Sequence, residues 1–213
     1  GPDQACGLVY HGGFACAGAT SALTPAVRGY NALSFGATSA CGITVDGRPH
    51  CWGAPLGTVP NEVLSEVSVG QAHACGLRID GSAVCWGDNS FGQAEPPPQI
   101  EYEAFSAIAS GDRFTCGLSN YAGLVCWGQG PGVTDKPEGA TGALSVHGGN
   151  ACAAGGSRYP SYCWGEDAAA LQPPEQAFGA IAVGARHACA IGGTDGSLYC
   201  WGDDSQSQLQ APA

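Results

Sequence analysis

The chain has 213 residues, among them 12 cysteines and 35 glycines, and a net charge of −11 at neutral pH. Nucleic acids and anionic membranes are also negatively charged, so the composition argues against both as partners. A membrane helix needs about 20 consecutive apolar residues. No stretch approaches that length, which predicts that this segment does not insert into a membrane.

The chain opens with Gly1-Pro2, which we interpret as the scar of a cleaved tag. Residues 3–213 are then expected to form a single repeat domain.

Cysteines recur in pairs along the chain. Each first cysteine is followed 10 or 11 residues later by a second, and five of the six second cysteines lead into Trp-Gly. Successive first cysteines lie 34 to 41 residues apart. Self-similarity at this period indicates supersecondary units that are stacked or arranged in a ring.

Short β-strands are predicted within each unit. The segments SEVSVG (65–70) and FSAIASG (105–111) alternate apolar and polar residues, and FTCGL (114–118) and LVCWG (124–128) flank a turn. No helical period of convincing length is visible. Three or four short strands in a unit of about 36 residues fit the four-stranded blades of a propeller. A ring is favoured over an open solenoid because it leaves only short, protected sheet edges. We therefore predict an all-β chain forming one β-propeller of six blades, or of seven if part of one has been removed.

The cysteine spacing fits a disulfide across each hairpin. If Ile79-Asp80-Gly81 is a loop with Gly81 in the left-handed conformation, Cys75 opposes Cys85. Opposed antiparallel residues have Cα atoms about 4.5–5.5 Å apart, which lies within the disulfide range of roughly 4.4–6.8 Å. A loop over 193–196, one residue longer, keeps Cys189 opposite Cys200. The predicted pairs are Cys6-Cys16, Cys41-Cys51, Cys75-Cys85, Cys116-Cys126, Cys152-Cys163 and Cys189-Cys200.

Zinc is the main alternative for these cysteines, but structural zinc sites use close pairs such as Cys-x2-Cys, which the chain lacks. Disulfides persist in oxidising compartments. The sequence therefore predicts a secreted or cell-surface protein, with the periplasm as a further possibility.

The tryptophan after each second cysteine faces the opposite side of its strand, so we expect it to pack between neighbouring blades.

The segment VSVGQAHACGLRIDGSAVCWGDNSFGQAEPP (67–97) resembles the repeat of the regulator-of-chromosome-condensation family, and so does 181–212. That pattern runs strand, Gly-x-x-His, strand, Asp-Gly, strand, Trp-Gly-x-Asn, Gly-Gln and Pro. The resemblance implies a β-propeller, commonly of seven blades. With its paired cysteines the chain is similar to ectodomains of crinkly-type plant receptor kinases and to secreted bacterial repeat proteins. The nucleotide exchange of the family's namesake is not carried over, because paired cysteines and a net charge of −11 fit chromatin poorly and fold does not fix function.

Two sets of residues are candidate binding residues, one at each end of the ring. We name as the acidic face the carboxylates at the turns after Trp-Gly and before the first cysteine, which suit a basic partner or weak Ca²⁺ binding, unless they are simply solvated. These are Asp88, Asp112, Glu166, Asp167, Asp203 and Asp204. We name as the tip face the hairpin tips at the other end, where Tyr and Arg are favoured binding anchors. These are Tyr10, Arg48, Tyr121, Arg158 and Tyr159.

No catalytic, phosphate-binding or calcium-loop pattern occurs, and His73 and His187 share a repeat position that holds Ser, Phe or Asn in other units. We therefore predict a non-enzyme without metal or cofactor, with these histidines structural. The predicted function is extracellular protein–protein recognition, as a receptor ectodomain, an adhesin or a secreted inhibitor. The alternative is a carbohydrate-binding propeller with a glycan partner, and a hydrolase would need convergent carboxylates in the central channel.

Overall fold

Short antiparallel strands make up nearly all of the regular structure. A computed structural model describes residues 4–9, 13–18, 29–98, 104–138, 142–155, 160–205, 207, 209 and 210, with only the backbone of the first two ranges. The strands are β1 Gln4–Val9, β2 Gly13–Gly18, β3 Tyr30–Phe35, β4 Ser39–Thr44, β5 Pro49–Gly53, β6 Leu64–Val69, β7 His73–Arg78, β8 Ala83–Gly87, β9 Phe105–Ser110, β10 Phe114–Ser119, β11 Gly123–Gly128, β12 Leu144–His147, β13 Asn150–Ala153, β14 Tyr162–Gly165, β15 Phe178–Val183, β16 His187–Gly192 and β17 Leu198–Gly202.

Helix is confined, among the described residues, to the single turn α1 Pro131–Thr134. Nothing in the described part of the chain has the length and hydrophobicity of a membrane-spanning helix.

The described strands form five three-stranded antiparallel sheets and the two-stranded hairpin β1-β2. In each three-stranded sheet the strands lie in chain order, with the strand that carries the first cysteine in the middle. The four-stranded blade suggested by the repeat length is therefore not seen in these sheets. After β8, for example, the chain continues through Pro96, Pro97 and Pro98, and proline has no N–H to donate to a further ladder.

The predicted hairpin register is confirmed in both loop lengths. Cys75 lies opposite Cys85, the Arg78 N–H donates to the Ser82 carbonyl at 2.9 Å, and Gly81 has a φ of 81°. In the longer hairpin Cys189 lies opposite Cys200. Because hydrogen-bonded and non-hydrogen-bonded pairs alternate along an antiparallel ladder, Cys75 and Cys85 occupy a non-hydrogen-bonded pair, where side chains come closest.

Five of the predicted disulfides are present, and no described cysteine is free. Their Cα atoms lie 4.0 to 4.1 Å apart. The bonded pairs are Cys41-Cys51, Cys75-Cys85, Cys116-Cys126, Cys152-Cys163 and Cys189-Cys200. The backbone also places Cys6 opposite Cys16, but the side chains of this sixth pair lie outside the described residues.

The sheets succeed one another as the blades of a β-propeller, which confirms the predicted fold class. The first strand of each sheet contacts the first strand of the next, from β3 through β6, β9 and β12 to β15. These first strands are therefore the innermost ones. The number of blades stays a prediction.

Glycine is required where the inner strands end, because neighbouring blades approach closely there. A Cβ atom on Gly36 would lie 2.2 Å from the carbonyl oxygen of Gly70, and one on Gly70 would lie 2.2 Å from that of Gly111. This contact explains why glycine begins the turn before the middle strand at both positions.

Each of four tryptophans packs on the disulfide of the preceding blade, as the sequence predicted. Trp86 shares a cluster with Cys41, Trp127 with Cys75, Trp164 with Cys116 and Trp201 with Cys152. Three of the four indoles also donate a hydrogen bond to the linker that leaves the preceding blade. Their acceptors are the carbonyls of Gln93 at 3.0 Å for Trp127, Gly132 at 2.9 Å for Trp164 and Leu171 at 2.8 Å for Trp201. Trp86 Nε1 is buried without an acceptor.

The equivalent tryptophans Trp127 and Trp86 allow the hydrogen bond to be tested apart from the packing. Trp127→Phe should lower the free energy of unfolding by about 1 kcal/mol more than Trp86→Phe does, because only the first removes a hydrogen bond while both remove similar ring area. Denaturant titration of the oxidised variants, followed by circular dichroism, measures the difference. Equal losses in the two variants would show that the bond to Gln93 contributes nothing net.

Candidate functional site

The turns of the acidic face lie together at one end of each blade. The residue after each Trp-Gly hydrogen bonds back to the turn before the middle strand of the same sheet: Asp88 N–H donates to Ala72 O at 2.9 Å, and Asp203 N–H to Arg186 O at 2.8 Å. Neighbouring blades also join here, since the Asp112 N–H donates to the Gly148 carbonyl at 2.9 Å.

A cavity of about 340 Å³ opens among these turns. The polar side chains that line it include Ser110, Asp112, His147, Asn150, Glu166 and Asp167. A second cavity of about 410 Å³ adjoins it, sharing Asp112 and Glu166 and adding Arg113. The structure thus brings together three of the six predicted carboxylates of the acidic face.

The other three carboxylates accept hydrogen bonds from residues in their own turns. Asp88 accepts hydrogen bonds from the hydroxyl and N–H of Ser90 and from Gln93 Nε2, and the Ser90 hydroxyl is the main cause that lowers its pKa. Asp203 accepts hydrogen bonds from the hydroxyl and N–H of Ser205. The bond from the Ser205 N–H is the main cause that lowers the pKa of Asp203. Asp204 accepts the N–H of Leu209 at 2.9 Å. These side chains cap turns and do not line either cavity.

The carboxylates of Asp112 and Glu166 make no hydrogen bond or ion pair with another described residue, whereas Asp167 accepts from Asn150 Nδ2 at 3.3 Å. No described Lys or Arg lines the first cavity. Burial lowers the pKa of His147, and the nearby Asp112 opposes that shift. The described lining of this cavity is therefore negative at neutral pH.

The structure describes two of the five residues predicted for the tip face. Tyr121 is 77% exposed, and the Arg48 guanidinium donates to Asn61 and lies 3.5 Å from Asp46. The two belong to sheets separated by the β6-β7-β8 sheet, so the structure does not bring them together. Tyr10, Arg158 and Tyr159 lie outside the described residues.

The sequence reasoning missed two residues that comparison of the repeats would have found. Ser110 occupies the last position of an inner strand, where the aligned residues are apolar. Glu66 stands on an inner strand where alanine occurs at the aligned positions. Its carboxylate accepts the Ile108 N–H at 3.3 Å, and burial raises its pKa.

Across the described residues, no group of three or more His, Cys, Asp or Glu is placed to hold a metal ion.

His73 is a buried structural residue. Its Nε2 lies 2.8 Å from the Thr115 hydroxyl in the next blade, and that hydroxyl donates to the Gln93 carbonyl at 3.0 Å. The network joins two blades and a linker without reaching a cavity, which leaves no chemistry to assign to this histidine.

Two stretches of the chain, residues 65–93 and 180–208, match the family model described as the regulator of chromosome condensation (RCC1) repeat. These two stretches of the chain are similar to RCC1 repeats. They are the units of Cys75-Cys85 and Cys189-Cys200, in which the sequence pattern is most complete. No curated protein sequence matches the chain.

Several solved structures are similar to this chain over most of its length. The ectodomain of the Physcomitrella patens receptor kinase CR4 is similar with a TM-score of 0.77 and 28% identity, over 94% of this chain and 59% of that one. The chain thus spans about three fifths of that ectodomain. The CRINKLY WD40 ectodomain of the Arabidopsis thaliana receptor kinase ACR4 gives a TM-score of 0.74 and 26% identity, over 93% of this chain and 80% of that one. Prp20p from Saccharomyces cerevisiae has a TM-score of 0.60 and 15% identity, over 78% of this chain and 56% of that one. At this identity the likeness shows the fold alone.

The buried His73 predicts a loss of stability in acid. Burial lowers its pKa to about 4, and the charge of Asp88 opposes this only in part, whereas an unfolded chain titrates histidine near 6.5. The unfolded state therefore binds more protons between these values. The free energy of unfolding should fall as the pH drops from about 6.5 to 4, by at most about 1.4 kcal/mol per pH unit from this group.

The variant His73→Asn tests this prediction, because Asn150 fills the aligned position in β13. Denaturant titrations between about pH 4 and 7 should show a shallower pH dependence for the variant than for the original chain. The same slope in both proteins would assign the acid sensitivity to other groups.

Proposed function

We propose that this chain is an extracellular, non-catalytic module that recognises a protein, as a receptor ectodomain, an adhesin or a secreted inhibitor. The observation that carries the proposal is the likeness to two receptor kinase ectodomains over more than nine tenths of this chain. The disulfides support the location, since bonds of this kind persist only where thiols are not kept reduced.

The geometry favours a protein over a glycan as the ligand. A lectin of this fold would present aromatic rings in shallow pockets between blades. Trp86, Trp127 and Trp164 are instead at most 7% exposed and pack on disulfides. Among the residues that the structure describes, no Trp or Tyr lines either of the two cavities at the acidic face.

The compartment can be tested on the protein from its native source. When the protein is isolated with a thiol-alkylating reagent present from the moment of lysis, the ten described cysteines should carry no label before reduction, because each is disulfide-bonded. Mass spectrometry of the peptides gives the answer. Alkylation of buried positions such as Cys75 or Cys116 would contradict an extracellular location.

Affinity capture tests the function. The immobilised, oxidised chain should retain a specific protein from native extracellular material, and a reduced, unfolded chain should not. Two variants locate the surface: Asp112→Asn with Glu166→Gln on the acidic face, and Arg48→Ala with Tyr121→Ala on the tip face. One variant should lose the retained protein and the other should keep it.

Elution of the captured material by free sugars, with no protein retained directly, would establish a lectin instead. A protein bound equally by the folded and unfolded chains would also contradict the proposal.

A further inference from the structure

We propose that the 340 Å³ cavity of the acidic face is a binding site for a primary ammonium group, carried by a lysine side chain of the partner. The inference rests on the proposed function in that a protein supplies the lysine. Three observations support it: carboxylates without a described partner, a buried hydroxyl without a partner, and an ordered backbone at Asp112 and Glu166.

The charge of the cavity is uncompensated by the described residues. Asp112 and Glu166 are unpaired and come from two neighbouring blades, and Asp167 adds a third carboxylate. The nearest described cation on the adjoining cavity, Arg113, stacks over the Phe91 ring at 4.9 Å. Asp112 and Asp167 are half-buried and Glu166 is exposed. A half-buried carboxylate without a counter-ion is costly, so a cationic ligand is the group that suits this cavity.

Ser110 gives an independent indication of a ligand. The residue lines the cavity and is only 3% exposed, yet its Oγ has no hydrogen-bond partner. A buried hydroxyl without a partner costs free energy. The aligned positions in the other blades are apolar, namely Phe35, Val69, Val146 and Val183. The fold therefore does not require a hydroxyl here, whereas a donor inside the cavity would satisfy it.

Hydrogen bonds fix the backbone of the two residues that carry the unpaired carboxylates. The Asp112 N–H donates to Gly148 and the Glu166 N–H donates to Gly149 at 3.3 Å. The Glu166 carboxylate packs over Gly149, where an added Cβ would lie 2.4 Å from its Cδ. The backbone that carries both carboxylates is thus ordered before a ligand arrives, which reduces part of the ordering cost of binding.

An ammonium fits these acceptors better than a guanidinium does. Lysine ends in a compact charge with three donors, whereas arginine presents a planar fork suited to both oxygens of one carboxylate. Here two carboxylates and one hydroxyl come from separate positions on two blades. Three donors on one nitrogen can serve separate acceptors, whereas a planar fork is suited to a single carboxylate.

The test is a titration of the oxidised chain with N-acetyl-lysine amide, followed by ¹⁵N-resolved NMR. Saturable shifts are expected at the amides of Ser110, Asp112 and Glu166. The same probe acetylated on its ε-nitrogen, and N-acetyl-arginine amide, should bind at least about tenfold more weakly, since each loses a charge-assisted contact.

Variants separate the site from general electrostatics. Asp112→Asn with Glu166→Gln should weaken binding by about tenfold or more. Glu138→Gln with Glu175→Gln changes the net charge equally at exposed carboxylates away from the cavity, and should leave binding unchanged. Ser110→Ala should weaken binding several-fold while the chain stays at least as stable, which a purely structural serine would not do.

Several outcomes would overturn the inference: no saturable shifts with the lysine probe, equal binding of the arginine probe, or equal weakening by the two charge-matched double variants. These outcomes leave the proposed function standing if capture still succeeds. Binding of the lysine probe without capture of any protein would instead overturn the proposed function alone.

Discussion

The disulfide across each hairpin is the constraint on which the rest of the structure depends. It occupies a pair without backbone hydrogen bonds, so side chains on the same face approach closely. Successive residues of a strand face opposite sides, which turns the next residue, tryptophan, away from the bond. The sulfur atoms of one blade therefore meet the indole of the following one, as Cys75 meets Trp127. The cysteine spacing in the sequence thus sets both the disulfide within a blade and the contact between that disulfide and the tryptophan of the next blade.

Serine hydroxyls also connect neighbouring blades, in addition to the tryptophans. The Ser34 hydroxyl accepts the Val69 N–H at 2.9 Å, and the Ser145 hydroxyl accepts the Val183 N–H at 3.0 Å. Each bond joins the inner strand of one blade to that of the next. With only 12% charged residues in the chain, such side-chain-to-backbone bonds and the disulfides take the place of ion pairs. Two salt bridges occur among the described residues, and both lie within or beside one hairpin.

The features that follow from position within one repeat were predictable, and those that arise between repeats were not. Index arithmetic around Gly81 places Cys75 opposite Cys85, and loop length accounts for the longer hairpins. The cavity depends on how two blades approach, which no spacing specifies. A local signal did exist for part of the acidic face: Asp88 and Asp203 are each followed two residues later by serine, a pattern in which the carboxylate is used by its own turn. That pattern separates them from Asp112 and Glu166.

The position of the cavity links ligand binding to the integrity of the ring. Asp112 belongs to the β9-β10-β11 sheet and Glu166 to the β12-β13-β14 sheet, so a cation between them bridges two blades. A bound ammonium would add a contact to each blade. Since any ligand that binds only the folded state stabilises it, the same carboxylates that would select a lysine would also tighten the joint around it.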